Sequence, residues 1–221
     1  AFGLPHGAPV VGNVAALVAH KGQRHLVAAA ARVVREVPDA RFLIVGDGEL
    51  REPLERQVRD LGLNRHVRLT GFRPDVLGLM KSFDIFAMSS VTEGLGSAVL
   101  EAMACARPIV ATRAGGLPEA VADGETGRLV PPHDEAALAA AIVAMLRNPD
   151  ERATFGAAGR ARVERRLRRQ QRTRGAERRG YPCVQLRRLP ADETESAARA
   201  QRAADVRERG GRIGEEHHAE A

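Results

Sequence analysis

Residues 84–112, "DIFAMSSVTEGLGSAVLEAMACARPIVAT", decide how this chain folds. An apolar run (84–90) ends at a glycine-containing turn. A helical pattern then runs to about Ala106, and a second apolar run (107–112) closes the unit. Two strands joined through a helix form a parallel pair, because parallel strands need a long crossover. The turn also carries two carboxylates, Glu93 and Glu101, in a segment that otherwise reads as buried.

The same alternation extends in both directions. Strands are expected at 10–18, 41–46, 66–72 and 126–131. Helices are expected at 22–37, 50–63 (stopped at Gly62), 74–83 (with Pro74 at its start), 117–124 (ended by Gly124) and 134–148. Asp134 is the expected N-cap of the last. The strands are nearly continuous apolar runs, as in a sheet buried on both faces. The fold class is therefore α/β: a doubly wound, Rossmann-like parallel sheet. No internal repeat is visible.

Charge divides the chain. Residues 1–150 carry 16 Lys/Arg against 17 Asp/Glu, whereas residues 151–221 carry 18 against 11, so the net +6 belongs to the tail. The body has no general attraction for nucleic acid, and none is expected as a partner. Residues 160–180 hold ten arginines and two acids, and little apolar material follows. Such a segment cannot bury enough surface to offset the entropy of ordering. The expected division is a globular domain over residues 1–159 and a basic low-complexity tail over 160–221, disordered or read out of frame. An anionic membrane surface is the partner such a tail would suit.

No run of 18 apolar residues offers a transmembrane helix. The first residues lack a charged leader and a cleavage site, so no signal peptide is expected, and the missing initiator methionine suggests a piece of a longer chain. Cys105 and Cys183 form neither a disulfide framework nor a metal cluster. The expected compartment is the cytoplasm, with a peripheral position at the inner face of the membrane as its variant.

In an open parallel sheet, ligands bind beyond the carboxyl ends of the strands. Gly12, Gly46 and the turns at 94–96 and 114–116 belong to that region. Glycine admits close backbone approach, and the amides of Gly96, Ser97 and their neighbours open a helix, where phosphate is favoured. Glu101 can accept from both hydroxyls of a ribose diol, and Glu93 from sugar hydroxyls beyond the phosphates. Lys21, in "AHKGQ" after the first strand, is a point charge for a diphosphate. There is no Asp-x-Asp pair or metal-ligand cluster, so no metal or other cofactor is expected. Each feature alone also fits a purely structural role: glycine turns are common, and most lysines are simply exposed.

Together, "VGNVAALVAHKGQRHLVAAAA", "FLIVGDGELREPLERQVRDLGLNRHVRLTGFRPDV", "EGLGSAVLEAMACARPIVATRAGGLPEAV" and "GETGRLVPP" resemble the nucleotide-sugar half of the retaining GT-B glycosyltransferases, group 1. The likeness runs from about Val10 to Gly159, and the Glu93–Glu101 spacing is its most specific sign. The resemblance implies a hexose transfer from a nucleotide diphosphate sugar, with retention and without metal, the leaving phosphate helping to deprotonate the acceptor. It implies that Lys21 neutralises the diphosphate, Glu93 orients the sugar and Glu101 holds the ribose. Gly94, Leu95, Gly96 and Ser97 would supply backbone, and Phe72 and Arg73 would border the base.

Two positions depart from the family pattern. Ala16 stands where the family has an arginine, with His20 and Arg24 as neighbouring cations, and Leu95 stands where it has an aromatic residue. The family's N-terminal acceptor domain and closing helix are not expected within this stretch. This stretch alone is therefore expected to transfer little. Other readings are a sugar-nucleotide epimerase-like domain and a non-enzymatic module with a basic tail. An NAD dehydrogenase is disfavoured, because no G-x-G-x-x-G follows the first strand.

Overall fold

The structure, a computed structural model, describes residues 4–174. Six strands, β1 (Val10–Val14), β2 (Arg41–Val45), β3 (Val67–Gly71), β4 (Ile85–Met88), β5 (Ile109–Thr112) and β6 (Gly127–Val130), form one sheet. Its order is β3-β2-β1-β4-β5-β6, and every neighbouring pair of strands is parallel. The chain builds outward from β1 to β3, then returns to β4 on the other side of β1. The junction of β1 and β4 is thus the point where winding reverses, and loops leaving the two strands diverge to open a crevice.

Among the described residues seven α-helices accompany the sheet: α1 (Gln23–Glu36), α2 (Arg51–Asp60), α3 (Val76–Met80), α4 (Ser97–Ala104), α5 (Leu117–Ala120), α6 (Glu135–Arg147) and α7 (Pro149–Arg174). Strand residues feed the two faces alternately. Phe42, Ile44, Ile85 and Ala87 join a core with Leu26, Val27 and Val33 of α1, Leu54 of α2, and Leu138 and Ile142 of α6. Leu43, Val45, Phe86 and Met88 join the opposite core with Val99 and Met103 of α4, Leu117 of α5 and Val163 of α7. Each large apolar side chain fully buried this way stabilises the fold by about 1.5–3 kcal/mol. Continuous apolar strands are thus a consequence of having two cores to fill. The α6 cap is as expected, with Asp134 Oδ1 accepting from the Ala137 amide at 2.8 Å.

Three expectations need correction. The first strand stops at Val14 and does not reach residue 18. Its apolar continuation is explained by Leu17, fully buried beneath the loop, whose amide turns to the carbonyl of Asp47 at 3.0 Å. Gly12 is not at the rim of the sheet. It pairs with Leu43 and Phe86 in mid-strand, and a Cβ there would lie 2.1 Å from the Phe83 ring. Packing, and not ligand approach, requires that glycine.

The third correction concerns the boundary drawn after residue 159. Helix α7 runs through it to Arg174. Phe155 and Val163 are buried, Leu167 packs on the core, and Arg162 donates to the carbonyls of Ala120 and Glu119 at 2.9 and 3.0 Å. Arginine content obscured a stripe at intervals of four, Phe155–Gly159–Val163–Leu167, in which Gly159 fits against Met103. The remainder of the basic tail, with Cys183, lies outside the described residues.

Substituting Gly12→Ala forces Phe83 from its site and should cost about 1–3 kcal/mol, the usual range for overpacking. Chemical denaturation measures this, and an unchanged midpoint would show that the ring yields freely.

Candidate functional site

The two loops at the β1–β4 junction are stitched together before any side chain chemistry is considered. After β1 the chain makes a 3₁₀ turn, Ala19–Lys21, closed by Gly22 at φ +64°. A Cβ at Gly22 would meet the Ser89 carbonyl oxygen at 2.2 Å, so only glycine lets the β4 end approach this closely. The Val91 amide donates to the His20 carbonyl at 2.8 Å, and Ser89 Oγ to the Lys21 carbonyl at 3.3 Å. These bonds carry Lys21, leaving β1, and Glu93, leaving β4, to the same place.

There they form an ion pair. Lys21 Nζ donates to Glu93 Oε1 at 2.9 Å and Oε2 at 2.8 Å, and Ser90 Oγ donates to Oε2 at 2.9 Å. The Glu93 side chain is 8% exposed and that of Lys21 20%. Burial pushes the Glu93 carboxyl up, but the Lys21 ammonium, the Ser90 hydroxyl and a further backbone contribution from Gly94 together hold it below the ordinary glutamate value. The carboxylate is therefore ionised, with donors around both oxygens.

Helix α4 begins a few residues later, at Gly96 in the left-handed region, φ +67°. No side chain caps it, and the Ser97 and Ala98 amides bond to no other group among the described residues. They are the unsatisfied donors of a helix N-terminus. Glu101 sits on this helix, half-buried, and its carboxyl makes no hydrogen bond or ion pair among the described residues. Burial pushes it above the ordinary value. A partly desolvated acceptor without a donor is costly unless a ligand supplies one.

The turn between the acids rests on the 114–116 loop. The Gly116 amide donates to the carbonyls of Glu93 and Gly94 at 3.1 Å each, and a Cβ at Gly115 would lie 1.7 Å from the Glu93 carbonyl oxygen. Gly94 differs: a Cβ there would meet nothing within 4 Å, and its φ is not left-handed. Nothing among the described residues requires a glycine at that position. Leu95 points outward, 61% exposed.

Other expected site residues lie further out. Gly46 is at the end of β2, where the Ala15 carbonyl would be 2.0 Å from a Cβ; chain packing accounts for it. Phe72, 77% exposed, and Arg73 follow the edge strand β3, with Arg73 forked onto Asp75 at 2.8 Å. Ala16 is exposed on the loop after β1. Arg24, exposed, turns its Nε to His25 Nε2 at 3.2 Å. Sequence reasoning missed Ser90, whose only signal is its place three residues before Glu93. It also missed His25, whose Nδ1 lies 2.6 Å from Glu135 Oε1 and whose Nε2 lies 3.1 Å from His133 Nδ1. Among the described residues, no group of three or more His, Cys, Asp or Glu is disposed to hold a metal ion.

The pair has a pH signature. A carboxyl held below its ordinary value contributes stability above about pH 4.3 that is lost as pH falls through the lowered value. Lys21→Met should cost ~1–2 kcal/mol at neutral pH, because Glu93 keeps Ser90 but loses its counter-charge. The difference should vanish in acid, where Glu93 is protonated in both proteins. Urea melts across pH measure it, and a cost independent of pH would show that Glu93 is not the partner that matters.

Comparison with known proteins agrees with this geometry. The family described as "Glycosyl transferases group 1" matches residues 1–162. A GDP-mannose-dependent alpha-(1-6)-phosphatidylinositol monomannoside mannosyltransferase of Mycolicibacterium smegmatis is 42% identical over 161 residues, covering 69% of this chain and 42% of that protein. Among solved structures, Anabaena HepE in complex with UDP-glucose superposes with a TM-score of 0.70 at 30% identity, over 77% of this chain and 50% of HepE. The C-terminal domain of a group 1 family protein, LpcC, from Francisella tularensis gives 0.66 at 26% identity, over 72% of this chain and 86% of that one. The chain spans about two fifths of the curated relative's length. No helix among the described residues is long and apolar enough to cross a membrane. With the motif order, the sheet order and the family match in agreement, this chain belongs to the group 1 glycosyl transferases.

Proposed function

We propose that this chain is the donor-binding half of a retaining glycosyltransferase that moves a hexose from a nucleotide diphosphate sugar to an acceptor held by a separate domain. One observation carries the proposal. Lys21 and Glu93 meet across the β1–β4 junction, and a half-buried Glu101, without a partner among the described residues, stands about one turn into α4. The order of groups is cation, carboxylate, bare helix amides, carboxylate. That order suits a diphosphate flanked by a sugar on one side and a ribose on the other.

In this reading the diphosphate takes Lys21 and the amides of Ser97 and Ala98. Sugar hydroxyls donate to Glu93, and the ribose diol donates to Glu101. Gly94 leaves room for the sugar, Leu95 and Gly96 complete the turn, and Phe72 and Arg73 border the base. The cation and the amides offset the charge on the leaving diphosphate, so transfer proceeds without metal. The departing phosphate accepts the proton of the incoming hydroxyl, and the configuration at the sugar is retained. The relatives' greater length and the names that they carry support a separate acceptor-binding half. The reading places the reaction in the cytoplasm. The exposed Arg165 and Arg168 of α7 suit a peripheral stand on an anionic membrane surface.

Calorimetry with UDP, GDP and ADP tests the proposal. At least one should bind with a Kd of about a millimolar or tighter, unchanged by chelators. A folded protein that binds none of them overturns the reading. Lys21→Ala should weaken every diphosphate ligand about tenfold or more, and less so at high salt. Glu101 must be ionised to accept from two hydroxyls, and burial raises its pKa. Nucleotide affinity should therefore decline on acidification from above the ordinary glutamate range. Glu101→Gln should remove that acid limb and weaken nucleosides and nucleotides alike. An acid limb that persists in the variant would assign it to another group.

A further inference from the structure

Behind Glu93 stands a buried polar pair that the sugar-binding reading does not use. Ser90 is fully buried and cannot touch a ligand, yet its Oγ donates to Glu93 Oε2 at 2.9 Å. Its carbonyl accepts from Thr112 Oγ1, at the end of β5, at 2.5 Å, and Thr112 is buried too. The hydroxyl is thus delivered to Glu93 from a backbone pinned to the next strand.

A bound diphosphate would compete with Glu93 for Lys21. Its ammonium has three hydrogens, and both Glu93 oxygens lie within bonding distance of it. A diphosphate that draws Lys21 toward itself removes the carboxylate's counter-charge, while burial of Glu93 still favours protonation. A protonated Glu93 would lose acceptor capacity just when sugar hydroxyls arrive. Its orientation would then rest on Ser90, because Lys21 and Ser90 are the side chains among the described residues that fix it.

We infer that Ser90 is a positioning residue, which keeps the Glu93 carboxylate ionised and aimed at the sugar while Lys21 passes from Glu93 to the donor's diphosphate. The inference rests on the donor-binding reading. It separates two roles: Lys21 recognises the charge common to all the ligands, whereas Ser90 acts on the sugar alone, through Glu93. Ser90 sits behind the carboxylate, so its hydrogen bond survives the departure of Lys21. The Thr112 bond keeps the strand end from shifting as the charges rearrange.

The test uses the full chain, a nucleotide sugar and the matching nucleoside diphosphate, chosen as the tightest pair in the calorimetric screen. Ser90→Ala should weaken the nucleotide sugar about tenfold, the weight of one hydrogen bond to a charged group, and leave the diphosphate within about twofold. Carbon-13 titration of the Glu93 carboxyl, with the diphosphate bound, should show its midpoint raised in Ser90→Ala. Ser90→Cys, a weaker donor of similar volume, should give smaller changes in the same directions and serves if the alanine variant does not fold. A wild-type chain that binds neither ligand overturns the donor reading itself. A wild-type chain that binds both, with a variant that weakens both equally or leaves the Glu93 titration unmoved, overturns the role of Ser90 alone.

Discussion

The ion pair between Lys21 and Glu93 is the interaction around which the site is organised. It joins two loops that are 72 residues apart in the chain and become neighbours only because β4 is laid against β1. Neither residue would be held without the backbone seam beneath them. Gly22 admits the Ser89 carbonyl, the Val91 amide reaches His20, and Gly116 supports the Glu93 turn from the β5 side. The Val91 and Gly116 hydrogen bonds pair backbone groups that would otherwise go unsatisfied at the strand ends. The seam therefore contributes to folding as well as to the placement of charge.

The two glutamates illustrate opposite solutions to the same difficulty. Both are partly withdrawn from water. Glu93 is compensated inside the protein, so its carboxyl sits below the ordinary range. Glu101 is not, and sits above it. A group that the fold leaves uncompensated stabilises nothing by itself, and its unmet demand is for a donor from outside. The bare amides of Ser97 and Ala98 make the complementary demand for an acceptor. A fold optimised only for stability would cap that helix and replace Glu101 with an apolar residue.

Much of this was legible in the residues. Continuous apolar strands spaced by helical patterns required a doubly wound sheet; Glu93 and Lys21 stood out through their place after strands, and Glu101 through its place early in the helix that follows the turn. The failures have physical causes. Gly12 reads like a ligand-binding glycine because a packing glycine leaves the same letter, and the reason for it, Phe83, lies 71 positions away in sequence. The helix beyond residue 159 was hidden because its apolar stripe is sparse and includes a glycine. It gains stability by packing against α4, and not from its own composition. Ser90 was missed because a serine at a strand end carries no signal until its partner is known.

The amino-acid sequence by itself determined the kinds of element, their order, and which side chains had the chemistry to meet a phosphate or a sugar. Those properties depend on short-range periodicity and on functional groups, and both are written locally. The tertiary structure alone decided which of those groups meet. It brought Lys21 to Glu93, put Ser90 behind them, and left Glu101 without a partner among the described residues. It also withdrew Gly12 from the site and bound Arg24 to His25. Ionisation and orientation depend on burial and on neighbours from distant strands, and these exist only once the sheet has formed.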